Sequence, residues 1–189
     1  MLYLASQSPR RRQLLEQIGV AFRVVDVDVP EQRALAESPR AYVSRVAREK
    51  ARAGLAVLDD PRVAVLGADT EVVLDDEVFG KPADAADAAG MLRRLSGRVH
   101  EVISTVWLVN RKGEWSDTSL SRVRMPELDD ATIAAYITTG EPFGKAGAYA
   151  IQGHGATLIE HLDGSHSGVM GLPVFETARL LRAHGLIHA

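Results

Sequence analysis

Three stretches of this chain carry residue types suited to phosphate chemistry. The first is Ser6-Gln7-Ser8-Pro9-Arg10-Arg11-Arg12, which follows a short apolar run and contains a Ser-Pro pair suited to a helix start. A helix N-terminus presents unpaired N–H groups and a positive dipole end, and both favour an anion. Ser6 and Ser8 add hydroxyls, and the arginines add charge-assisted donors that can grip two oxygens at once. Successive helical residues turn by about 100°, so Arg10 and Arg11 stand nearest the helix start and Arg12 is left for solvent. A capped helix with a basic exposed face accounts for the same residues.

The second stretch is Gly67-Ala68-Asp69-Thr70, at the expected end of an apolar strand. Reactive carboxylates in α/β proteins are placed there, and Asp69 could hold Mg²⁺ or take a proton from water. A free aspartate is a weak base near neutral pH, and an Asp turn closing the strand is the plainer alternative. The third stretch, Gly144 to Gly155, has four glycines that let the backbone approach a ligand closely. Within it Tyr149 could stack on a base and Gln152 could read an amide-like edge, or the whole could be an ordered surface loop. Its lysine, Lys145, precedes the glycines and no Gly-Lys-Ser/Thr follows, so it is not a Walker P-loop. Two further lysines stand apart. Lys50 lies seven residues after Val43 and four after Val46, so it either snorkels from an apolar helix face or points into a cleft. Lys81 sits between Gly80 and Pro82, and the proline holds it away from the helical region.

The elements that must position these residues alternate between strand and helix. Strands are predicted at Leu2–Ala5, Phe22–Asp28, Val63–Ala68, Val99–Val109, about Ser116–Met125 and Thr157–Leu162. Val72–Leu74 and Val78–Phe79 flank Asp75-Asp76 as a hairpin. Helices are predicted from Ser8-Pro9 to Gly19, from Ser38-Pro39 to about Leu55, over Ala85–Leu95, over Ala131–Tyr136, and from Pro173 to about His184. The hairpin strands among βα alternations indicate a mixed sheet.

Composition narrows the function classes. The chain has 189 residues, 46% hydrophobic and 25% charged, which suits one globular domain spanning residues 1–189. It has no cysteine, which excludes thiol catalysis, disulfides and cysteine metal sites. The six histidines show no ligand spacing, and His184 and His188 fall in the terminal segment. Twenty-two Lys and Arg against 25 Asp and Glu give a net charge of −3, a poor profile for a nucleic-acid binder. No apolar run approaches the roughly 18 residues of a membrane span, and Met1–Ala5 is too short for a signal core, so a cytoplasmic protein is expected.

Together these stretches resemble the Maf family of nucleotide pyrophosphatases from Leu4 to about Leu181. The motifs that carry the resemblance are Leu4-Ala5-Ser6-Gln7-Ser8-Pro9-Arg10-Arg11, Arg48-Glu49-Lys50-Ala51, Gly67-Ala68-Asp69-Thr70 and Gly80-Lys81-Pro82. Leu95-Ser96-Gly97-Arg98-Val99-His100, Lys145-Ala146-Gly147-Ala148-Tyr149, Ile151-Gln152-Gly153 and Gly171-Leu172-Pro173 follow in order. The resemblance implies a mixed, twisted α/β sheet with flanking helices and two lobes around a cleft, similar to inosine triphosphate pyrophosphatases. It implies hydrolysis of a nucleoside triphosphate to the monophosphate and pyrophosphate with Mg²⁺ or Mn²⁺. By the same resemblance Asp69 is the proton acceptor, and Arg10, Thr70 and Gln152 bear on substrate choice. Ser6, Arg11, Lys50, Lys81 and Lys145 line the cleft, and Glu31 joins Asp69 as a possible metal ligand. Thr70 with the Ala-Gly-Ala-Tyr run resembles the branch acting on dTTP and UTP; the 7-methyl-GTP branch usually has Gln at that place. A homodimer and a role in clearing modified nucleotides or in division arrest are family implications only. A non-catalytic nucleotide sensor using the same cleft is the competing reading.

Three departures from the family pattern stand out: Glu71 in place of an apolar residue, Ala150 in place of Gly, and Gly168-Val169-Met170 in place of Asn-Val-Val. Glu71 either adds negative charge beside Asp69 or, through strand alternation, points to the opposite face.

Overall fold

Both Ser-Pro pairs open helices. In the computed structural model, which describes residues 1–187 and so leaves His188 outside the described residues, α1 spans Pro9–Gln17 and α2 spans Pro39–Ala56. Ser8 Oγ accepts from the Arg11 N–H at 3.5 Å, and Ser38 Oγ accepts from the Ala41 N–H at 3.2 Å. Asp84 and Asp129 cap α3 (Ala85–Leu95) and α4 (Asp130–Thr138) in the same way. Two helices close the chain, α5 (His166–Met170) and α6 (Val174–Ala183), and α5 was not legible from periodicity. Among the described residues no helix is long and apolar enough to cross a membrane.

Among the described residues seven strands form one mixed sheet: β1 (Leu2–Ala5), β2 (Phe22–Val24), β3 (Ala64–Leu74), β4 (Glu77–Phe79), β5 (Val99–Asn110), β6 (Gly113–Arg124) and β7 (His161–Asp163). Their order is β2-β1-β3-β5-β6-β7, with β4 also on β3. β1 runs parallel to β2 and β3, and every other pair is antiparallel. The sheet is therefore mixed, as the alternation of elements predicts.

Several boundaries differ from the sequence reading. The second strand stops at Val24, and Asp26–Glu31 instead runs along the cleft. Gly153–Leu158 forms a 3-10 turn, so β7 starts only at His161. The larger difference is β3. Gly67-Ala68-Asp69-Thr70 does not end a strand; it lies in the middle of one 11-residue strand. β5 pairs with each residue from Ala64 to Val73, and that long partner overrides the local turn preference of small residues and Asp.

This long strand creates the cleft. β1 ends with Ala5 opposite Gly67, and β4 ends with Phe79 opposite Val72. Ala68 to Glu71 therefore have β5 along one edge and, among the described residues, no strand along the other. Successive side chains alternate, so Asp69 and Glu71 share one face of this open stretch and Thr70 takes the other.

α2 lies directly against the first of these faces. A Cβ placed on Gly67 would come within 2.3 Å of the Ala47 carbonyl oxygen and 2.6 Å of the Ala51 nitrogen. Only glycine permits that approach, and it brings Lys50, next to Ala51, over Asp69, two residues after Gly67. The other face packs on separate cores. Leu4, Leu15, Leu66, Leu108, Leu172 and Leu181 fill the lobe beside β1, and Leu92, Leu95, Val123, Met125, Ile133 and Tyr149 fill the lobe beside α3 and α4. Each such side chain contributes roughly 1.5–3 kcal/mol by leaving water.

Candidate active site

The open stretch of β3 crosses a cleft of about 1480 Å³. All ten positions singled out from the sequence line it: Ser6, Arg10, Arg11, Glu31, Lys50, Asp69, Thr70, Lys81, Lys145 and Gln152. They come from six separate parts of the chain, and their grouping rests on packing.

The charged face is organised by Lys50. Its ammonium lies 2.8 Å from Asp69 Oδ1 and 2.6 Å from Glu31 Oε1. Lys81 takes the other Glu31 oxygen at 3.2 Å. Lys50 and Asp69 are both buried, so each removes the need for an unpaired charge in the interior. The Glu31 loop is held from behind. Arg45 grips Glu37 through both carboxylate oxygens, at 2.8 and 2.9 Å, and donates to the Gln32 carbonyl at 2.9 Å.

Glu71 shares this face; the opposite-face alternative is excluded, because residues two apart in a strand point the same way. It is buried, and burial first, then the charges of Asp69 and Glu31, push its carboxyl up to about 8. At neutral pH it is largely protonated. Tyr42, eight residues before Lys50 on the same face of α2, borders this cluster. Burial, reinforced by Glu71, Asp69 and Glu31, pushes its hydroxyl well above the usual range and keeps it a neutral donor. Sequence reading missed Tyr42, although its spacing of four from Val46 and eight from Lys50 was the available signal.

Asp69 Oδ2 and Glu71 Oε2 are buried without a hydrogen-bond partner. An all-oxygen set of this kind suits a hard divalent cation such as Mg²⁺ or Mn²⁺. Among the described residues no three His, Cys, Asp or Glu side chains are grouped to hold an ion by themselves. Magnesium sites that use one or two carboxylates and complete their shell with water and phosphate oxygens need no such triad.

The arginines are aimed by backbone carbonyls. Arg11 Nε donates to the Gly171 carbonyl at 2.7 Å and its Nη1 to Ser6 Oγ at 3.2 Å. Arg10 Nε donates to the Met170 carbonyl at 3.1 Å. Burial lowers the pKa of both, and Asp69, Glu31 and Glu71 pull that of Arg11 back up; a guanidinium stays charged throughout. Arg12 is exposed, as helical geometry predicts. Lys145 Nζ donates to the Glu141 carbonyl, and burial together with Arg10 lowers its pKa.

On the face carrying Thr70, the contact of that residue is with a neutral hydroxyl. Thr70 Oγ1 lies 2.7 Å from Ser104 Oγ, directly across on β5. Gln152 presents a buried Oε1 without a partner. Glu141 steadies the adjoining loop, its two oxygens accepting from the His154 and Gly155 N–H groups at 2.8 and 2.9 Å. Tyr149 borders the cleft, but its hydroxyl lies 2.8 Å from His100 Nε2 and its ring belongs to the core. Its main contribution is to close the wall, not to stack as an open platform.

The family model described as "Maf-like protein" matches residues 1–184. A protein of Xanthomonas euvesicatoria pv. vesicatoria named dTTP/UTP pyrophosphatase is 56% identical over 98% of this chain and 99% of its own length. A protein of Xylella fastidiosa (strain 9a5c) named nucleoside triphosphate pyrophosphatase is 54% identical over 96% of this chain and 97% of its own. With its motif residues gathered around one cleft and its similarity running end to end, this chain belongs to the Maf family.

Proposed function

We propose that this protein hydrolyses dTTP and UTP to the nucleoside monophosphate and pyrophosphate. The observation that carries the reading is Asp69: a buried carboxylate with Oδ1 on Lys50 and Oδ2 unpartnered, in a cleft lined by six basic side chains. The names of relatives more than 50% identical along nearly the whole chain support the same chemistry, and the Xanthomonas protein's name supports the same pair of substrates.

In this reading the triphosphate lies between Arg10, Arg11, Lys81 and Lys145, whose charges offset those of its oxygens. A water forms a bond to the α-phosphorus, the α–β bridging bond breaks, and its electron pair leaves with pyrophosphate. Asp69 orients that water through Oδ2 and accepts its proton, while Lys50 keeps the carboxylate in position. A bound divalent cation would offset phosphate charge and acidify water. Asp69 Oδ2 and Glu71 Oε2 are the oxygens open to it; Glu31 would have to exchange a lysine. The base lies toward Thr70 and Gln152, whose polar atoms match the edge of a pyrimidine. A nucleotide substrate supports a cytoplasmic location, and a second copy of the chain is a family-based expectation.

The test is product analysis with dTTP, UTP, CTP, GTP and 7-methyl-GTP, each with Mg²⁺ and Mn²⁺. Monophosphate plus pyrophosphate should form fastest from dTTP and UTP, and Asp69→Asn should lower kcat by about 10²–10⁴-fold. Preference for 7-methyl-GTP would overturn the substrate assignment. Nucleotide binding without turnover would overturn the reaction and favour a sensor.

A further inference from the structure

The hydroxyl of Thr70 is not free to choose its hydrogen-bonding role. Ser104 Oγ lies 2.6 Å from the Gly168 carbonyl oxygen, and a carbonyl can only accept. The single proton of Ser104 therefore goes to Gly168. The contact between Ser104 and Thr70, at 2.7 Å, then needs the proton of Thr70. Thr70 donates to Ser104, Ser104 donates to Gly168, and both protons are committed inward. Only the lone pairs of Thr70 remain for whatever enters the cleft, which Thr70 lines.

The end of this relay is buried and hydrogen-bonded. Ser104 is buried on a central strand and faces Thr70 in the β3–β5 register. Gly168 is buried in α5, where its N–H donates to Ser165 Oγ at 3.0 Å. A Cβ on Gly168 would meet Ser165 Cβ at 3.1 Å and Ser119 Oγ at 3.3 Å, so this turn packs closely against β6 with little room for a side chain.

We infer that Ser104 is a specificity-determining positioning residue: it fixes Thr70 as an acceptor, and so selects bases that present an N3–H. Uracil and thymine carry that imide proton between two carbonyls. Cytosine carries a lone pair at N3, which would face the lone pairs of Thr70. A site built to receive a hydrogen bond rejects the analogue that lacks it, because a buried polar group is left unpaired. The contact does not involve the 5-methyl group or the 2′-hydroxyl, so it treats dTTP and UTP alike. Exclusion of purines must come from the size of the pocket. This inference rests on the pyrimidine reading proposed above, with the base beside Thr70.

The experiment measures kcat/KM for UTP, CTP and N3-methyl-UTP in four proteins: wild type, Ser104→Ala, Ser104→Thr and Thr70→Val. In wild type, UTP should exceed both CTP and N3-methyl-UTP. Ser104→Ala frees the Thr70 hydroxyl to turn and donate to cytosine N3, so the CTP/UTP ratio should rise about tenfold or more, mainly through CTP. Ser104→Thr keeps the relay proton and should keep the wild-type ratio. Thr70→Val should lower UTP turnover without raising CTP. If Ser104→Ala slows both nucleotides equally, the inference fails and Ser104 is merely structural. Wild-type protein that hydrolyses N3-methyl-UTP as well as UTP overturns it without reference to any variant's folding. Equal use of CTP and UTP by wild type would instead overturn the substrate reading on which it rests.

Discussion

On one face of β3, Asp69 and Glu71 stand among Lys50, Glu31 and Lys81; on the other, one residue away, Thr70 is tied to the Ser104 hydroxyl, which in turn donates to the Gly168 carbonyl. Both faces border the same cleft and hang from the same backbone. The charged face is organised by exchangeable partners, since a lysine held by a carboxylate can be traded for a phosphate or a cation. The neutral face is organised by proton direction, which is set once by a buried carbonyl and does not depend on salt. Charge suits the invariant part of a nucleotide, its phosphates. Fixed donors and acceptors suit the part that varies, its base.

The comparison breaks most sharply at Lys50. Lys50→Met should strand Asp69 as a buried carboxylate without its cation, destabilising the fold by about 3–5 kcal/mol. Turnover should fall by at least about 100-fold. Thermal unfolding and pyrophosphate release read the two effects separately. A tolerated substitution would mean that the charged face does not depend on this pair.

Alkali tests the charged face alone. Glu71 has its carboxyl raised from 4.5 to about 8 in the folded protein, chiefly by burial. A raised acid leaves the fold most stable below the unfolded value, and that stability is lost as pH rises toward 8. The loss should reach roughly 4 kcal/mol in metal-free buffer. Glu71→Gln should flatten the dependence, so its unfolding midpoint should gain on wild type between pH 5 and pH 8. Parallel curves for the two proteins would show that Glu71 is not buried as a neutral acid.

Acid tests the neutral side, and more gently. His100, hydrogen-bonded to Tyr149 behind Val72, is pushed down from 6.5 to about 4 by burial. Its lowered value means the fold is fully stabilised above pH 6.5, and stability is lost as pH falls toward 4, by about 3 kcal/mol. His100→Asn should remove this slope while leaving the alkaline limb in place. The two variants together would show that the lobes titrate at opposite ends of the pH range.

Much of the site was legible because its residues sit on short, local signals. Ser8-Pro9 and Ser38-Pro39 announce helix starts through capping chemistry that involves only neighbours. The lysine, arginine, Asp69 and Gln152 positions followed from motifs, and all of them line one cleft. The continuity of β3 was not legible, because Gly-Ala-Asp-Thr has turn preferences that only a 12-residue partner strand overrides. Tyr42 and Ser104 were missed for a related reason. One reads as a core aromatic and the other as an ordinary strand serine until their neighbours in space are known.

The amino-acid sequence by itself determined the chemical inventory: cationic groups for phosphates, one aspartate for water, no thiol, and caps that start the helices. It left open on which face Glu71 lies, because the strand was expected to end near Asp69; the continuous β3 puts the two carboxylates on one face. Tertiary structure decided what each group is paired with. Gly67 lets α2 descend until Lys50 reaches Asp69, and the register of β3 on β5 places Ser104 opposite Thr70. Periodicity acts over a few bonds. Protonation, pairing and donor direction depend on atoms within about 3 Å that belong to distant parts of the chain, and only packing brings those atoms together.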